Sequence, residues 1–380
     1  MILRQYVKMF AQNCVLPLYY RIWRHGRIQK NLVIFADAHH TARPVSMELL
    51  YQYLRDNKDG GTPYEIEEMY LDYQNASFSQ VFRHMFYFMK RYARAGYVVI
   101  CDNFLPVASC RKRKETTVIQ LWHACGSYKK FGYDTLDDIP ANYKGNVFQN
   151  INLVTVSAAA CEAPFASAMR LPRECVRALG VSRTDEYFSD AWRASCREKF
   201  YQTYPEAAGK KIALWAPTFR GNPGDPQKID LNVEMLQQKL GDEWLVLTRV
   251  HPHMMKKYGE KNCPITTEYL FPVTDMLIAD YSSLIYEYLL FGKPVVMYVP
   301  DLEQYRKTRG FYMDISEVPG PLVLDEAELS EVICREYRDF EQEKKRGEPS
   351  EKRKRFLDRY MSSCDGHATD RIAAYMRGRQ

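Results

Sequence analysis

The sequence predicts an α/β protein with two doubly wound parallel sheets, on three observations. Its 380 residues exceed the usual size of one domain. Short apolar runs of strand length alternate with segments of helical periodicity, which is the pattern of parallel sheets with helices on both faces. The alternation stops at a helix predicted over residues 185–204 and then starts again. The restart indicates two domains that share one architecture.

The first half of the chain supplies the strands and helices of the first predicted sheet. Each strand is a short, mostly apolar run, and each helix has apolar residues at helical spacing. The predicted strands cover residues 32–36, 97–101, 117–121, 153–156 and 175–179. The predicted helices cover residues 44–54, 78–89 and 158–169.

The second half repeats this order. Strands are predicted over residues 211–215, 244–250, 276–279 and 295–299, with helices over 231–240 and 284–291. After residue 325 the chain is helical and charged. The charge run at 341–354 indicates a solvated face or a loop. A final amphipathic segment spans 370–376.

Composition narrows the class of protein. The net charge is +6, from 53 basic and 47 acidic residues, and it is too mild to indicate nucleic-acid binding. The ten cysteines include no C-x-x-C pair, which argues against a zinc ribbon or a disulfide scaffold and for a reducing compartment. No apolar run reaches the roughly 18 residues of a transmembrane helix. The N-terminus also lacks the apolar core and cleavage site of a signal peptide.

Two basic segments suggest an anionic surface. Residues 1–30 mix apolar and aromatic side chains with arginines and lysines, a composition that suits either a membrane surface or a helix packed on its own domain. The second is a basic cluster, Arg111, Lys112, Arg113 and Lys114.

Polar residues follow the predicted strands, where parallel α/β sheets bind their ligands. The strand ends are WHACG at 122–126, WAPTFR at 215–220, RVHPH at 249–253 and DYSS at 280–283. Histidine suits proton transfer or a hydrogen bond to phosphate, and arginine suits phosphate. A lone histidine is more often structural, so the indication comes from the combination.

The turn at 280–283 joins a strand to a helix. Ser282 and Ser283 therefore stand where unpaired N–H groups could bind a phosphate, or where a serine caps the helix. The sequence alone leaves both interpretations open. No metal site is predicted, since the histidine pairs 39–40 and 251/253 lack carboxylates or cysteines at ligand spacing.

Seven short blocks stand in order between residues 95 and 375. They are W-H…K-K-x-G at 122–132, G-x-x-R-x-D at 180–185, A-P-T-F-R at 216–220, R-x-H-P at 249–252, D-Y-S-S at 280–283, M-Y-x-x-D-x-x-x-Y-x-x-x-R-G-F-Y-x-D at 297–314 and D-G-x-A-x-x-R-I at 365–372. In this order they resemble the CDP-glycerol glycerophosphotransferase family of teichoic-acid primases and polymerases. Ala124 and Ser182 depart from the glycine and proline that the family most often has there, and the first turn is one residue longer. These departures bear on the acceptor more than on the reaction.

The resemblance implies a GT-B-like fold, with two Rossmann-like domains facing a cleft. It implies transfer of glycerol phosphate or another polyol phosphate from a CDP-activated donor to a hydroxyl of a lipid-linked or polymer acceptor, with release of CMP. The product is a teichoic-acid-like cell-wall or capsule polymer. No cofactor, metal or nucleic-acid partner is expected. A lipid-linked acceptor implies a peripheral protein on the anionic cytoplasmic face of the cell membrane.

The resemblance also suggests roles for individual residues. His123 is expected to be the general base on the acceptor hydroxyl, and His251 with Arg249 to serve the donor pyrophosphate and the leaving phosphate. Further expected phosphate contacts are Ser282 and Ser283, followed by Arg220 and Arg309. Glu287 is expected at the ribose, and Asp280 at the same nucleotide end, orienting the turn.

The expected domain boundaries are a basic amphipathic segment at 1–30, an acceptor-side domain at 31–185, a donor domain at 186–345 and helices at 346–380, whose return to the first domain is left open. Two alternatives remain. One is a nucleotide-sugar-dependent glycosyltransferase of GT-B fold. The other is a catalytically silent scaffold that binds nucleotide or membrane. The choice between glycerol and ribitol, and between primase and polymerase, is also open.

Overall fold

The chain forms two compact units, each with its own sheet. The computed structural model describes residues 9–58, 60–135, 138–139, 143, 145–218, 220, 229–250 and 263–378. The first unit comprises Met1–Ala124, Pro140–Asp185 and Ser362–Gln380, and the second Cys125–Ile139 and Glu186–Met361. The units therefore differ from the contiguous domains expected from the sequence. Residues 125–139 group with the second unit, and the last residues group with the first.

The first unit begins with a π-helical turn, Ala11–Val15, that continues into helix α1, Leu16–Trp23. The following elements are β1 Gln29–Asp37, α2 Val45–Arg55, β2 Glu65–Tyr70, α3 Phe78–Tyr92, β3 Ala95–Ile100, β4 Thr117–Gln120, β5 Leu153–Thr155, α4 Glu162–Met169 and β6 Val176–Arg177. Strand β2 was not predicted, because its sequence EIEEMY is largely charged and offers no apolar run.

The first sheet is parallel throughout, in the order β2-β1-β3-β4-β5-β6. From β1 the chain goes to one side to form β2 and then to the other side to form β3. The point where the order reverses therefore lies between β1 and β3. In open α/β sheets, ligands bind beyond the carboxyl ends of the strands at this switch point.

The second unit follows. Its elements are α5 Asp190–Thr203, β7 Lys211–Ala216, α6 Val233–Leu240, β8 Trp244–Thr248, α7 Thr267–Leu270, β9 Met276–Ala279, α8 Leu284–Leu289, β10 Val295–Tyr298, α9 Leu302–Thr308, β11 Leu322–Val323, α10 Leu329–Arg346 and α11 Glu351–Tyr360. The charge run at 341–354 is thus the end of α10 and the start of α11. The two helices are separated at Gly347, whose φ of +69° suits the left-handed helix end.

The second sheet is also parallel, in the order β11-β10-β9-β7-β8. Its switch point lies between β7 and β9, which are the strands before Thr218 and Asp280. The last helix, α12 Ala368–Arg377, belongs to the first unit. Its Ile372, Ala373 and Met376 are fully buried in the core that β1 and α2 share.

Local sequence explains where helices begin. Ser77 and Gln80 form a reciprocal capping box at the start of α3, and Ser189 and Ser350 accept a backbone N–H at the starts of α5 and α11. Among the described residues, no helix combines the length and the apolar character needed to cross a bilayer.

Candidate active site

A histidine and a carboxylate lie at the carboxyl edge of the first sheet. His123 follows β4, and Asp102 follows the neighbouring strand β3. The Nδ1 atom of His123 lies 3.5 Å from Asp102 Oδ2 and 3.3 Å from the Cys101 carbonyl oxygen. The His123 side chain is 48 % exposed. With Nδ1 turned toward two oxygens, Nε2 is the nitrogen left to accept a proton from a ligand.

A buried glutamine side chain fixes the turn that contains His123. Gln120 is fully buried, and its amide donates to the Asp102 carbonyl at 3.0 Å while its oxygen accepts from the Trp122 N–H at 3.1 Å. Trp122 has a φ of +58°, which is rare for a bulky residue and marks a constrained backbone. Its ring stacks on the His123 imidazole with the centroids 4.5 Å apart. One buried amide thus fixes both strand ends.

The switch point of the second sheet contains a charged network. Asp280 is fully buried and accepts hydrogen bonds of 3.0 Å from the Thr218 N–H and hydroxyl. Arg220 donates to Asp280 at 2.9 Å and to Asp301 at 2.7 and 3.2 Å. The Tyr281 hydroxyl also donates to Asp301, at 3.0 Å. The network joins the ends of β7, β9 and β10.

These contacts set the charge states of Asp280 and Asp301 and engage the guanidinium group of Arg220. Burial raises the pKa of Asp280, and the pairing with Arg220 opposes that rise. Burial acts in the same direction on Asp301, but hydrogen bonds from Arg220 hold the pKa of Asp301 below its ordinary value. Arg220 is therefore committed to two carboxylates, which contrasts with the phosphate contact expected from the sequence.

Residues 125–139 make backbone hydrogen bonds and an ion pair with the turn after α9. Lys129 and Phe311 form an antiparallel bridge, and the Lys130 N–H donates to the Gly310 carbonyl at 3.1 Å. Arg309 donates to Asp138 at 2.8 and 3.0 Å and to the Lys130 carbonyl at 3.1 Å. The K-K-x-G and R-G-F-Y blocks are thus partners in space. Arg309 joins them, although the sequence analysis expected it at a phosphate.

Lys129 stands out in this segment. Burial of its amine, reinforced by the nearby charge of Arg309, lowers the pKa of Lys129 to about 8. Asp280 and Arg220 are also close enough to influence it. Within the described part of the chain, its ammonium group has no hydrogen bond or ion pair. A desolvated cation without a carboxylate partner is suited to receive an anion.

The start of α8 shows what the two serines do. The buried Ser282 hydroxyl accepts from the Leu284 N–H at 3.3 Å, whereas Ser283 occupies the capping position without a side-chain cap bond. Ser282 thus caps weakly, and the Ser283 hydroxyl caps nothing. Glu287 is fully buried and accepts from the Tyr187 hydroxyl at 2.6 Å. The ribose contact expected of Glu287 stays a prediction.

Arg249 follows β8 and is half-buried. Its guanidinium donates to the Cys263 carbonyl at 2.7 Å. His251, the second predicted catalytic residue, lies outside the described residues. His123 belongs to the first unit, and the other predicted site residues that the structure describes belong to the second.

Sequence reasoning missed four residues at or near these strand ends. Asp102 carried a usable signal, because it follows one strand just as His123 follows the next. Lys129 and Asp301 were seen only as parts of motifs. Gln120 gave no signal, since a glutamine within a buried strand is unremarkable. Among the described residues, no group of three or more His, Cys, Asp or Glu side chains could hold a metal ion.

The chain is similar to proteins of known activity along most of its length. Residues 18–377 match the family described as CDP-glycerol:poly(glycerophosphate) glycerophosphotransferase. The chain is 34 % identical over 317 residues to the teichoic acid ribitol-phosphate primase of Bacillus spizizenii, with 77 % of each chain covered. It is 28 % identical to the teichoic acid glycerol-phosphate primase of Bacillus subtilis, with 73 % of each covered.

A longer relative is the poly(ribitol-phosphate) polymerase of Bacillus spizizenii, at 32 % identity over 72 % of this chain and 45 % of the relative. The chain thus spans about half of that protein. Among solved structures, the wall teichoic acid polymerase TagF has a TM-score of 0.71 at 19 % identity, covering 99 % of this chain and 97 % of that one.

The UDP-GlcNAc 2-epimerase of Neisseria meningitidis has a TM-score of 0.55 at 11 % identity, covering 91 % of this chain and 99 % of that one. These two structural likenesses confirm the predicted GT-B-like fold of two parallel-sheet domains. The family match over almost the whole chain confirms the resemblance seen in the motifs. The chain therefore belongs to the CDP-glycerol:poly(glycerophosphate) glycerophosphotransferase family, and it is a transferase of polyol phosphates in teichoic acid synthesis.

Proposed function

We propose that this chain transfers a polyol phosphate from a CDP-polyol to the hydroxyl of a lipid-linked or polymeric acceptor, with His123 as general base. The observation that carries the proposal is the strand-end pair of His123 and Asp102. The ribitol-phosphate enzymes match this chain at 30–34 % identity, against 24–29 % for the glycerol-phosphate enzymes. CDP-ribitol is therefore the donor that we expect to be used best.

The proposed chemistry is an in-line displacement at phosphorus. The acceptor oxygen attacks the phosphorus that carries the polyol, and the bond from that phosphorus to the oxygen of CMP breaks. Nε2 of His123 takes the hydroxyl proton, because Nδ1 is directed at Asp102 and the Cys101 carbonyl. CMP leaves as a phosphate anion, so the main demands are alignment and positive charge. Because the CDP donor is already activated, the reaction needs no cofactor.

On the donor side, the charge would come from the second unit. Lys129 is a buried cation with no carboxylate hydrogen-bond or ion-pair partner among the described residues, and Arg249 has only a carbonyl as its described hydrogen-bond acceptor. The Ser283 hydroxyl is available at the start of α8. We assign these three groups to the donor diphosphate. Arg220 and Arg309 act through other residues, since their guanidinium groups are engaged by Asp301, Asp280 and Asp138.

We also propose that the first unit docks on an anionic membrane from the cytoplasmic side. One face of α1 is in the core, with Leu16 and Tyr20 buried, whereas Leu18 and Ile22 are each 64 % exposed. Helix α1 of the basic N-terminal segment therefore combines the two alternatives that the composition of residues 1–30 left open, a packed face and an exposed apolar face.

The basic cluster lies beside this helix. Arg113 donates to the carbonyls of Arg24 and Gly26, and its N–H donates to the Tyr20 hydroxyl. An open groove of about 860 Å³ results. It is lined by Arg21, Arg24, His25, Arg111, Lys112, Arg113, Lys114 and Glu115. Exposed apolar residues beside a groove rich in arginine and lysine suit a bilayer with anionic headgroups.

The reaction is tested by CMP release from CDP-ribitol and CDP-glycerol, measured in parallel with a lipid-linked saccharide acceptor. We expect His123→Ala to lower the rate by about two to four orders of magnitude, the usual contribution of a general base. His367→Ala is the matched control, since His367 is 70 % exposed in the same unit. Near-normal release by His123→Ala would refute the base assignment. Stabilisation by UDP- or GDP-sugars in place of CDP-polyols would favour a glycosyltransferase.

A further inference from the structure

The switch point of the first sheet carries a second histidine–carboxylate pair that the proposed chemistry leaves unused. It follows β1, on the other side of β3 from His123. Asp37 ends β1 and is 2 % exposed. Its Oδ1 accepts from the His39 N–H at 2.7 Å, the His40 N–H at 2.8 Å and His40 Nδ1 at 2.9 Å. A buried carboxylate thus fixes both the backbone and the ring of His40.

The pair is arranged as a donor rather than a base. The hydrogen bond that His40 donates to Asp37 raises the pKa of His40 above its ordinary value. Burial acts to raise the pKa of Asp37, but the hydrogen bonds from His40 and His39 hold it below the usual range. His40 is therefore favoured as an imidazolium. Its Nδ1 proton is committed to Asp37, so the Nε2 proton remains to bind a ligand.

His40 is accessible, and its surroundings are charged. Its side chain is 54 % exposed. Asp102 and Asp72 also contribute negative charge near it, so Asp102 acts on both histidines of this edge. Arg183 adds a cation. It is 7 % exposed, donates to Ser46 Oγ at 3.1 Å and is close enough to influence the Cys101 thiol beside Asp37.

We propose that His40 binds the phosphate group of the acceptor, next to the hydroxyl that His123 activates. The proposal rests on the proposed function, because an acceptor that already ends in a polyol phosphate, as a polymeric acceptor does, carries a phosphate close to its hydroxyl. The place is the switch point, where doubly wound sheets bind their ligands. A fixed imidazolium suits a phosphate oxygen better than it suits a neutral sugar. His40 is thus a binding residue for the acceptor, and His123 is the residue that takes its proton.

The test compares His40→Gln with His39→Gln. His39 is the matched control, since it is the exposed neighbour whose described contact to Asp37 comes from its backbone. Steady-state rates are measured with a phosphate-bearing acceptor and with a polyol acceptor that lacks phosphate. We expect His40→Gln to raise the KM for the phosphate-bearing acceptor by about tenfold or more, the usual effect of losing a charged hydrogen bond. The KM for the CDP donor and the KM for the phosphate-free acceptor should each change by less than about twofold.

Equal behaviour of the two variants, or an equal KM increase with both acceptors, would overturn the proposal. A melting temperature matching that of His39→Gln shows that the His40 variant is folded. Binding is also measured without turnover, by following the His40 imidazole NMR signals during titration with glycerol 3-phosphate. A shift in the wild-type signals supports the site even if His123→Ala proves active. No shift, with His123→Ala inactive, would refute the site and leave the proposed reaction standing.

Discussion

At the scale of single residues, the partner of a histidine decides what it can do. His40 is bound at 2.9 Å by a buried carboxylate, whereas His123 lies 3.5 Å from the half-buried Asp102 and shares Nδ1 with a carbonyl. The shorter contact favours a retained proton. The looser one orients the ring and leaves Nε2 able to accept a proton. Two similar strand ends are thereby suited to different tasks.

Asp102→Asn tests this orienting role. We expect the rate of CMP release to fall by about tenfold to a hundredfold, less than the roughly 10⁴-fold loss in a serine-protease triad, because Asp102 is partly solvated and the Cys101 carbonyl remains. The KM for the donor should be unchanged. Imidazole nitrogen NMR should show a larger share of the tautomer that is protonated on Nε2. Asp358→Asn, an exposed substitution on α11, is the control. An unchanged tautomer ratio together with a lower rate would assign Asp102 a merely structural role.

The lowered pKa of Lys129 predicts how the affinity for the donor depends on pH. Burial lowers the pKa of Lys129 to about 8, so the ammonium is lost as pH rises through about 8 rather than near 10.5. We expect the affinity for CDP-ribitol to fall over that range in the wild type. Lys129→Arg should keep its affinity there, and Lys129→Met should be weak at every pH. Affinity is measured by calorimetry at several pH values. Identical pH profiles for wild type and Lys129→Arg would contradict the assignment.

The lowered pKa of Lys129 also determines how the free energy of unfolding changes with pH. The folded pKa lies below the unfolded value, so the unfolded chain binds more protons between about pH 8 and 10.5. The contribution of Lys129 to the free energy of unfolding therefore rises with pH in that window. Lys293 is a useful comparison. Its pKa is also lowered to about 8 by burial, but its amine donates to the carbonyls of Phe271, Pro272 and Thr274. Lys293→Met should affect stability and leave donor affinity unchanged.

At this scale the sequence predicted the functional residues at the strand ends but not the residues with which they interact. The motif pattern located His123, Asp280 and Arg220. That Arg220 would be paired with Asp301, 81 residues away, follows from the order of β7, β9 and β10 in the sheet. The burial of Glu287 likewise depends on Tyr187, which is 100 residues away. Spacing along the chain carries no information on either pairing.

At the scale of elements, Gly126 shows why residues 125–139 group with the second unit. It has a φ of +69°, and a Cβ at this position would lie 2.3 Å from the Tyr286 ring on α8. That ring is 1 % exposed and stacks on Phe356 of α11 with the centroids 5.0 Å apart. The backbone of this segment can therefore lie against α8 only because residue 126 has no side chain.

Gly126→Ala should destabilise the second unit by about 2–4 kcal/mol, from overpacking and an unfavourable backbone conformation together. The measurement is urea unfolding followed by fluorescence. Gly209→Ala is the matched control, because its φ is +79° and nothing lies within 4 Å of the added Cβ. It carries the backbone cost alone. Equal losses in the two variants would show that the segment does not depend on close approach to α8.

The elements that the sequence missed are those without an apolar signature. Strand β2 is largely charged, and β11 is only two residues long. The placement of residues 125–139 was also missed, because it depends on backbone contacts with residues 310–312. Elsewhere the alternation of strands and helices was visible, since each buried strand needs a continuous apolar run.

At the scale of the whole molecule, the two sheets are built on one principle. In each, the second strand lies on one side of the first strand and the third strand lies on the other side, and charged residues stand at the ends of the first and third strands. In the first sheet these are Asp37 and Asp102, and in the second Arg220 and Asp280. The sequence predicted two doubly wound sheets from alternation alone. It could not predict the strand orders, which locate the switch points.

The basic groove and the exposed face of α1 are expected to bind the membrane together. Removing residues 1–30 would also remove Tyr20, which is buried and packs against Tyr92 with the ring centroids 5.4 Å apart. Point variants therefore separate docking from folding better than truncation does. Arg111→Glu with Lys114→Glu reverses two exposed charges of the groove. Leu18→Ser with Ile22→Ser makes the free face of α1 polar and leaves its packed face intact.

Each basic residue near an anionic bilayer contributes about 1 kcal/mol to binding. Reversing two of these charges should therefore weaken vesicle binding by at least about tenfold. Flotation with vesicles that contain phosphatidylglycerol measures this, and vesicles of phosphatidylcholine alone should bind weakly. Lys352→Glu with Lys354→Glu makes the same change in charge on exposed residues of α11 and should float like the wild type. The charge-reversal variant should also lose most of its salt dependence, whereas the serine variant should keep it, because screening acts on charges and not on apolar contact. Equal loss in the groove and control pairs would show that net charge, and not this surface, draws the protein to the membrane.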